Sequence, residues 1–543
     1  MSEAATSVNP GLSQPLLAKR TSPRWMISAL LTTAIVALPV LSVIFLAFFP
    51  EENIWPHLIE TTLPRYLTTT LKLMIGVGAL TLVIGLASAW AVTMCEFPGR
   101  KFFEWAMLLP FAVPAYVIAY VYTSLLDYAG PVQGALRDLF GWSSAADYWF
   151  PEIRSLEGAT LMIGLVLYPY VYLLARAAFL EQSPSLFAVS RSLGHSALST
   201  FFRVVLPIAR PAVAVGLSLV LMETLNDFGT VDFFAVQTLT AGLFDTWMNL
   251  GNLGGAAQIA TTMLIFVVIL VTLERYSRRR QQQFAARDNR EPIQRFTMSF
   301  PRQMICVAVC ALPVLFGFVI PGATLGLYAW EYFGESWNPD FVRNTFNSLF
   351  LSGTAALTTL LIGVTLAYSR RLHNTRKMQV LMRLSSLGYA MPGAVLAVGV
   401  IVPLAGFDNW LDSLMRDVFG ISTGLLLSGS AFALVFAYTV RFLAVSAGSV
   451  ESALQKITPS MDMASRSLGH TPGNTLVRVH LPMLRGTLVT AALVVFVDCM
   501  KELPATLILR PFNFETLATY VYQFASDERL YHSALPALII VLA

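Results

Sequence analysis

The sequence predicts an all-α membrane protein made of two parallel six-span halves, and three observations predict it. The chain has 543 residues, of which 56% are hydrophobic and only 13% charged, a composition poor in charge for a soluble protein. Apolar stretches long enough to cross a bilayer recur along its whole length. The stretch Ser183 to Arg210 returns 275 positions later as Thr458 to Arg485, with 14 of 28 positions identical. The net charge of +4 is scattered over short loops and forms no continuous stripe, which argues against nucleic acid as a partner and for the lipid bilayer.

Residues 1–24 form a polar tail with Lys19, Arg20 and Arg24 and read as disordered. Trp25 to Phe49 is uncharged and too long for a signal-peptide core, so it is read as an uncleaved first span. Apolar stretches follow near 68–94, 103–126, 157–180, 208–231 and 257–274, closing a first half over 25–274. A connector, 275–302, carries eight arginines. The second half, 303–543, repeats the pattern near 303–325, 346–368, 384–405, 422–446, 486–509 and from about 530, where the last span is incomplete and about 20 residues are needed. Trp105, Trp149, Trp247, Trp330 and Trp337 fall near the ends of apolar runs, where aromatic belts form. Basic residues concentrate in the tail, in the loop with Arg100 and Lys101, in the repeated stretches and in the connector. The positive-inside rule therefore places the N-terminus, the connector and both repeated stretches in the cytoplasm.

The halves also match at a shift of 278: Thr70-Leu71 with Ser348-Leu349, Gly85 with Gly363, and Pro114 with Pro392. Six spans separate equivalent points, so the repeats run parallel, as in a fused pseudo-dimer. Each repeated stretch (183–210 and 458–485) opens on a hydroxyl residue followed by Pro184 or Pro459. That pattern reads as an N-cap with proline at the first helical position. Gly194 and Gly469 then stop a short helix. A second short helix leads into Leu206-Pro207 or Leu481-Pro482. A compact, arginine-bearing helix-Gly-helix hairpin in an otherwise greasy chain has the form of a docking element.

Ser190-Arg191-Ser192-Leu193-Gly194 with Pro207, and Ser465-Arg466-Ser467-Leu468-Gly469 with Pro482, resemble the "EAA" coupling loop of binding-protein-dependent ABC importer permeases. The pattern departs at its glutamate, where Ala188 and Met463 stand, with Asp462 one residue earlier in the second copy. The resemblance spans both halves and implies two fused type I importer transmembrane domains with about 12 helices in a bacterial inner membrane. It also implies a periplasmic substrate-binding protein and a separate ATPase, two copies of it, on which ATP and Mg act. No Gly-Lys dipeptide, and so no Walker A loop, occurs in the chain. Catalytic residues and cofactors are therefore expected on the partner.

Carboxylates mark a second candidate site. Glu223 and Asp498 are related by 275, as are Asp227 and Glu502; within each pair a continuous helix would put both acids on one face. They fall from midplane toward the outer half of the membrane, where a carboxylate costs about 3 kcal/mol and marks a polar pathway or has a partner. A cation pathway is one reading; an Asp498–Lys501 pair and a helix-ending turn at Asp227 are the structural one. No metal ligand set is assigned: Cys95, Cys306, Cys310 and Cys499 lack ligand spacing, and His195 and His470 read as turn residues or ATPase contacts.

The substrate class follows from resemblance. Glu96-Phe97-Pro98-Gly99-Arg100, Pro110 with Pro114-Ala115-Tyr116, the run Glu223 to Gly229, and Lys501-Glu502-Leu503-Pro504-Ala505-Thr506 with Arg510-Pro511-Phe512-Asn513 are similar to fused permeases of ferric-iron importers. Thiamine importers share the plan. A major-facilitator transporter, driven by an ion gradient, is the rival of another class; its Asp-Arg signature is missing from the loop at 95–100.

Overall fold

The computed structural model describes residues 23–182, 186, 189–190, 192–278, 295–373 and 375–543. Residues 1–22, most of the connector, Ser183-Pro184 and Arg191 lie outside the described residues. Ten described helices are long and apolar enough to cross a membrane: Pro23–Phe48, Leu63–Met94, Leu156–Leu180, Phe201–Asn226, Leu253–Glu274, Phe300–Glu331, Pro339–Leu372, Gly393–Phe419, Ala431–Gln455 and Pro472–Met500. An eleventh is the bent pair Arg100–Ala112 and Ala115–Phe140, and Leu530–Leu542 is a shorter apolar helix at the twelfth expected place. In chain order these are spans 1 to 12, the bent pair being span 3.

The two third spans differ from the continuous stretches expected. Proline bars the α conformation to the residue before it and cannot donate to the helix ladder. Span 3 accordingly bends by 90° at Val113-Pro114, and span 9 begins at Gly393, after an extended Met391.

The residues group into two compact units that interleave along the sequence. The smaller takes the described part of Met1–Ser42, with Leu349–Met391 and Gly399–Cys499; the larger takes Val43–Ser348, Pro392–Val398 and Met500–Ala543. In each unit the first span of one half packs on the later spans of the other. In the smaller unit Thr33 of span 1 shares a 2.8 Å hydroxyl hydrogen bond with Ser385, and Trp25 stands edge-on to Tyr368 at 5.1 Å. In the larger unit the Tyr122 hydroxyl donates to the Phe316 carbonyl of span 7 at 2.7 Å, and Ser124 meets Tyr328 at 3.0 Å. Lipid offers no competing donors, so such hydroxyl contacts hold apolar spans in register. If the chain is cut within the connector and the pieces are co-expressed, the halves should co-purify in mild detergent. Recovery of separate halves would contradict the exchange.

The matched positions have matched jobs. A Cβ on Gly85 would lie 2.7 Å from Val171 Cβ and 3.0 Å from Tyr172 N; on Gly363 it would lie 2.9 Å from Ser446 Cβ and 3.0 Å from Ala447 N. The second and fourth spans of each half thus touch through a glycine. Likewise Thr70 accepts from Leu239 N at 2.9 Å and Ser348 from Leu517 N at 2.7 Å, so each hydroxyl satisfies the first turn of a short helix. Gly85→Leu or Gly363→Leu should overpack these seams by about 1–3 kcal/mol. Thermal melting in detergent reads this out, and a wild-type melting point would contradict it.

Candidate functional site

The described residues of the two repeated stretches are built alike. In the second, Pro459–Ser467 is a helix that Gly469 ends at φ 81°. The His470 N–H reaches back to the Ser465 carbonyl (3.2 Å) and the Gly469 N–H to Arg466 (2.9 Å). This is the doubled closure that a left-handed glycine makes possible. In the first, Gly194 has φ 78° and the His195 N–H bonds the Ser190 carbonyl at 3.1 Å. The expected N-cap is only half realised: Thr458 sits at the cap position, but its hydroxyl meets Ser460 at 2.9 Å and caps no backbone N–H.

The hairpin is locked from within. Ser190 and Thr200 share a 2.8 Å hydroxyl bond, and Ser465 and Thr475 share another of 2.8 Å; all four are buried. Ser192 and Ser467 turn their hydroxyls onto Val189 and Ala464 carbonyls, at 2.9 and 2.8 Å. The following five residues, Phe201–Val205 and Leu476–His480, form a π turn just before Leu206-Pro207 and Leu481-Pro482. Pro207 and Pro482 cannot supply an amide to the preceding turn, and the wider turn accommodates their rings.

Among the described residues the hairpins present large apolar side chains, which their polar sequence does not suggest. Leu193 is 69% and Leu468 77% exposed at the tips, with Leu186, Val189, Met461 and Met463 exposed beside them. Arg466 is half-buried and flanks the tip. His195 meets Ser199 across 3.3 Å, in keeping with a turn residue.

The second loop carries an anchor with no partner in the sequence repeat. Arg371, at the end of span 8, donates to Asp462 from Nε (3.0 Å) and Nη2 (2.7 Å), to the Ile457 carbonyl (3.0 Å) and to the Leu454 carbonyl. Buried His480 brings Nε2 within 2.8 Å of the other Asp462 oxygen, close but off the line of a well-formed hydrogen bond. Burial would raise the Asp462 pKa; the His480 and Arg371 contacts outweigh it and hold the carboxyl below the usual aspartate value. The Tyr368 hydroxyl adds a 2.7 Å bond to the Pro472 carbonyl. In the first half Thr93 stands where Arg371 does and Val205 where His480 does. There the Gln182 amide holds the Val205 carbonyl at 3.0 Å instead. Sequence reasoning missed Arg371, Tyr368 and His480 because only one half has them. Thr200 and Thr475 were findable, being identical at the shift of 275.

The carboxylates do not share continuous helices as their spacing suggested. Span 5 ends at Asn226 and span 11 at Met500, so Asp227 and Glu502 lie beyond the breaks. Each instead satisfies the start of a short helix. Asp227 accepts from Thr230 N (3.1 Å), Val231 N (3.2 Å) and Thr230 Oγ1 (3.0 Å). Glu502 accepts from Ala505 N (3.2 Å), Thr506 N (3.2 Å) and Thr506 Oγ1 (3.0 Å). Helix N-termini favour such negative groups. Glu223 and Asp498 stay on spans 5 and 11, half-buried. Lys501 places its ammonium 4.3 Å from the Phe111 ring centre. Among the described residues no three His, Cys, Asp or Glu side chains group to hold a metal.

Two six-span halves, each with an apolar-tipped hairpin between its fourth and fifth spans, define a multi-pass membrane permease. The chain belongs to the binding-protein-dependent transport system inner membrane component family, whose profile matches residues 81–283 and 359–543. It is 25% identical over 492 residues to the Fe(3+)-transport system permease protein FbpB 2 of Haemophilus influenzae, covering 89% of each chain. It is 22% identical over 543 residues to the ferric transport system permease protein FbpB of Actinobacillus pleuropneumoniae, covering 93% of this chain and 74% of that one. The molybdenum transport system permease protein ModB of Escherichia coli matches a single stretch, 24% identical over 212 residues, 38% of this chain and 89% of that protein. One permease of that kind thus corresponds to less than half of this chain, in line with a fused repeat.

Proposed function

We propose that the chain is the permease of an ATP-driven importer that moves ferric iron, delivered by a periplasmic binding protein, across the inner membrane. The observation that carries the reading is the duplicated hairpin: the same hydroxyl lock, glycine stop and exposed leucine tip at one point in each half. Two tips suit two copies of one ATPase. Ser190, Arg191, Ser192, Leu193, Gly194 and Pro207, with Ser465, Arg466, Ser467, Leu468, Gly469 and Pro482, form the docking elements. The N-terminus and both hairpins lie in the cytoplasm, as the distribution of arginine and lysine favours. ATP binding closes the ATPase pair, and the hairpins pass that closure to spans 5 and 11, shifting the bundle between inward-open and outward-open states.

Iron as cargo is supported by the two relatives named for it, which match most of this chain. The test is reconstitution in proteoliposomes with the cognate ATPase and binding protein. Uptake of ferric iron should require ATP and the binding protein and should survive collapse of the membrane potential. Uptake of thiamine in place of iron would move the substrate; uptake that follows the ion gradient and ignores ATP would overturn the class.

Glu223 and Asp498 keep their carboxylates in the spans and are proposed as pathway acids. Glu223→Gln with Asp498→Asn should slow iron passage while binding-protein-stimulated ATP hydrolysis persists. Unchanged uptake would leave both acids structural.

A further inference from the structure

A polar cleft of about 480 Å³ opens in the larger unit between the start of span 8 and the helices Leu517–Ser526 and Leu530–Leu542. That volume suits a small organic group or one large side chain. Four carboxylates (Glu335, Asp340, Glu515 and Asp527) and two arginines (Arg343 and Arg529) line it, so its charge is negative. Arg343 answers Asp340 at 2.9 Å, and Arg510, behind the cleft, answers Glu515. Glu335 faces His532 across 3.6 Å and, like Asp527, is exposed. Asn344 also lines the cleft but is only 1% exposed, and its Oδ1 has no hydrogen-bond partner. A buried amide oxygen left unpaired is costly, and a ligand that donates to it removes the cost.

The repeat does not rebuild this cleft. Thr238 and Thr516 cap matching short helices, and in their register of 278 Tyr66 stands where Asn344 does and Gly242 where Tyr520 does. Tyr66 is buried with its ring against Gly242, where a Cβ would fall 2.3 Å from Cε2. In the second half the ring belongs to the other partner: Tyr520 stands edge-on to Phe524 at 4.7 Å, and the smaller Asn344 leaves space. Span 8 begins beside the cleft at Pro339 and ends at Leu372, next to the hairpin anchor Arg371, so the cleft opens at the other end of that span from the hairpin.

We infer that this cleft is a socket for an arginine side chain of the periplasmic binding protein, and that its presence in the second half fixes which way round that protein sits; the inference rests on the importer reading above. The acids do not group closely enough to hold a metal ion: among the described residues no three of them do. They suit a diffuse cation instead. A guanidinium is planar, carries five N–H donors and stacks on aromatic faces. Here it meets exposed carboxylates, the rings of Tyr520 and Phe524, and the buried Asn344 oxygen. A compact ammonium engages fewer of these at once. The two halves are related by a repeat, so a binding protein without two-fold symmetry has two ways to dock. Only one of them puts its arginine over Asn344.

The test uses the full chain with its ATPase in lipid nanodiscs and titrates the iron-loaded binding protein to half-maximal stimulation of ATP hydrolysis. Asn344→Leu fills the cleft; Glu335→Gln with Asp527→Asn removes its exposed charge. Each should raise the half-maximal concentration about tenfold, the scale of losing one side of a charged contact. Neither should lower the melting point, because the first removes an unpaired buried amide and the second changes only exposed groups. Glu60→Gln, exposed at the first-half position that matches Asn338, should stay within twofold. Replacing the binding protein's surface arginines one at a time with alanine should yield one variant with the same loss, and combining it with Asn344→Leu should cost nothing further. Cleft variants within twofold of wild type, or no arginine that behaves so, overturn the socket while leaving import standing. Thermal stabilisation of the chain by free L-arginine, abolished in Asn344→Leu with no change in response to the binding protein, gives the cleft to a small solute and overturns the docking assignment. Iron uptake that needs no binding protein overturns the importer reading and the socket with it.

Discussion

Replacing Gly194 and Gly469 together with valine should give a permease that inserts and melts normally but neither retains its ATPase nor takes up substrate. The reason is conformational. A Cβ at either position would meet nothing within 4 Å, so no clash is introduced. The backbone, however, sits at φ 78° and 81°, where an L-residue pays roughly 1–2 kcal/mol and a β-branched one is a true outlier. Each hairpin would relax out of the left-handed turn, break the N–H closures onto Ser190 and Ser465, and move its leucine tip. Asparagine tolerates this region, so Gly194→Asn with Gly469→Asn should keep most of the activity. Co-purification of the ATPase and substrate uptake check both. Normal uptake by the valine pair would refute the assignment, and equal failure of the asparagine pair would put the effect elsewhere than in φ.

Arg371→Ala should uncouple the second hairpin alone. It removes four hydrogen bonds at once and strands Asp462 against buried His480. Breaking one side of a fully buried ion pair costs about 3–5 kcal/mol; with side chains 14% and 17% exposed, this pair belongs at or below the low end of that range. Arg371→Lys should rescue little, because an ammonium cannot span a carboxylate and two carbonyls as the guanidinium fork does. Amide hydrogen exchange in Pro459–Ser467 should rise in Arg371→Ala while Leu193 and its neighbours keep wild-type protection. Unchanged protection of Pro459–Ser467 would contradict the anchor. The pH dependence has a definite sign. The Asp462 pKa is depressed in the folded chain, so its contribution is complete above the unfolded value of 3.8 and is lost only as pH falls through the lower folded one. The Asp462 carboxylate itself therefore stays ionised between pH 5 and 8.

Much of this architecture was legible because the chain says it twice. The shifts of 275 and 278 located the hairpins, the glycine stops and the paired seams, since Gly85 with Gly363 and Thr70 with Ser348 do the same work in each half. Repetition could not reveal what one half alone possesses. Arg371, Tyr368 and His480 hold the second hairpin; their partners are set by packing, which spacing does not encode. The four-residue spacing of Glu223 and Asp227 misled for a related reason. Helical periodicity holds only while the helix runs, and the helix stops at Asn226. The exposure of Leu193 and Leu468 was equally hidden, for a leucine in a membrane protein reads first as buried.

The most direct test places a thiol at each hairpin tip, as Leu193→Cys and Leu468→Cys in separate chains, and adds a short thiol-reactive cross-linker to the assembled transporter. Both tips should link to the ATPase, each to its own copy, with yields that change on adding ATP, and neither to the binding protein. Tips that link to nothing, or that react only with reagent on the periplasmic side, would contradict the claim that two matched hairpins carry the work of an ATPase into the membrane.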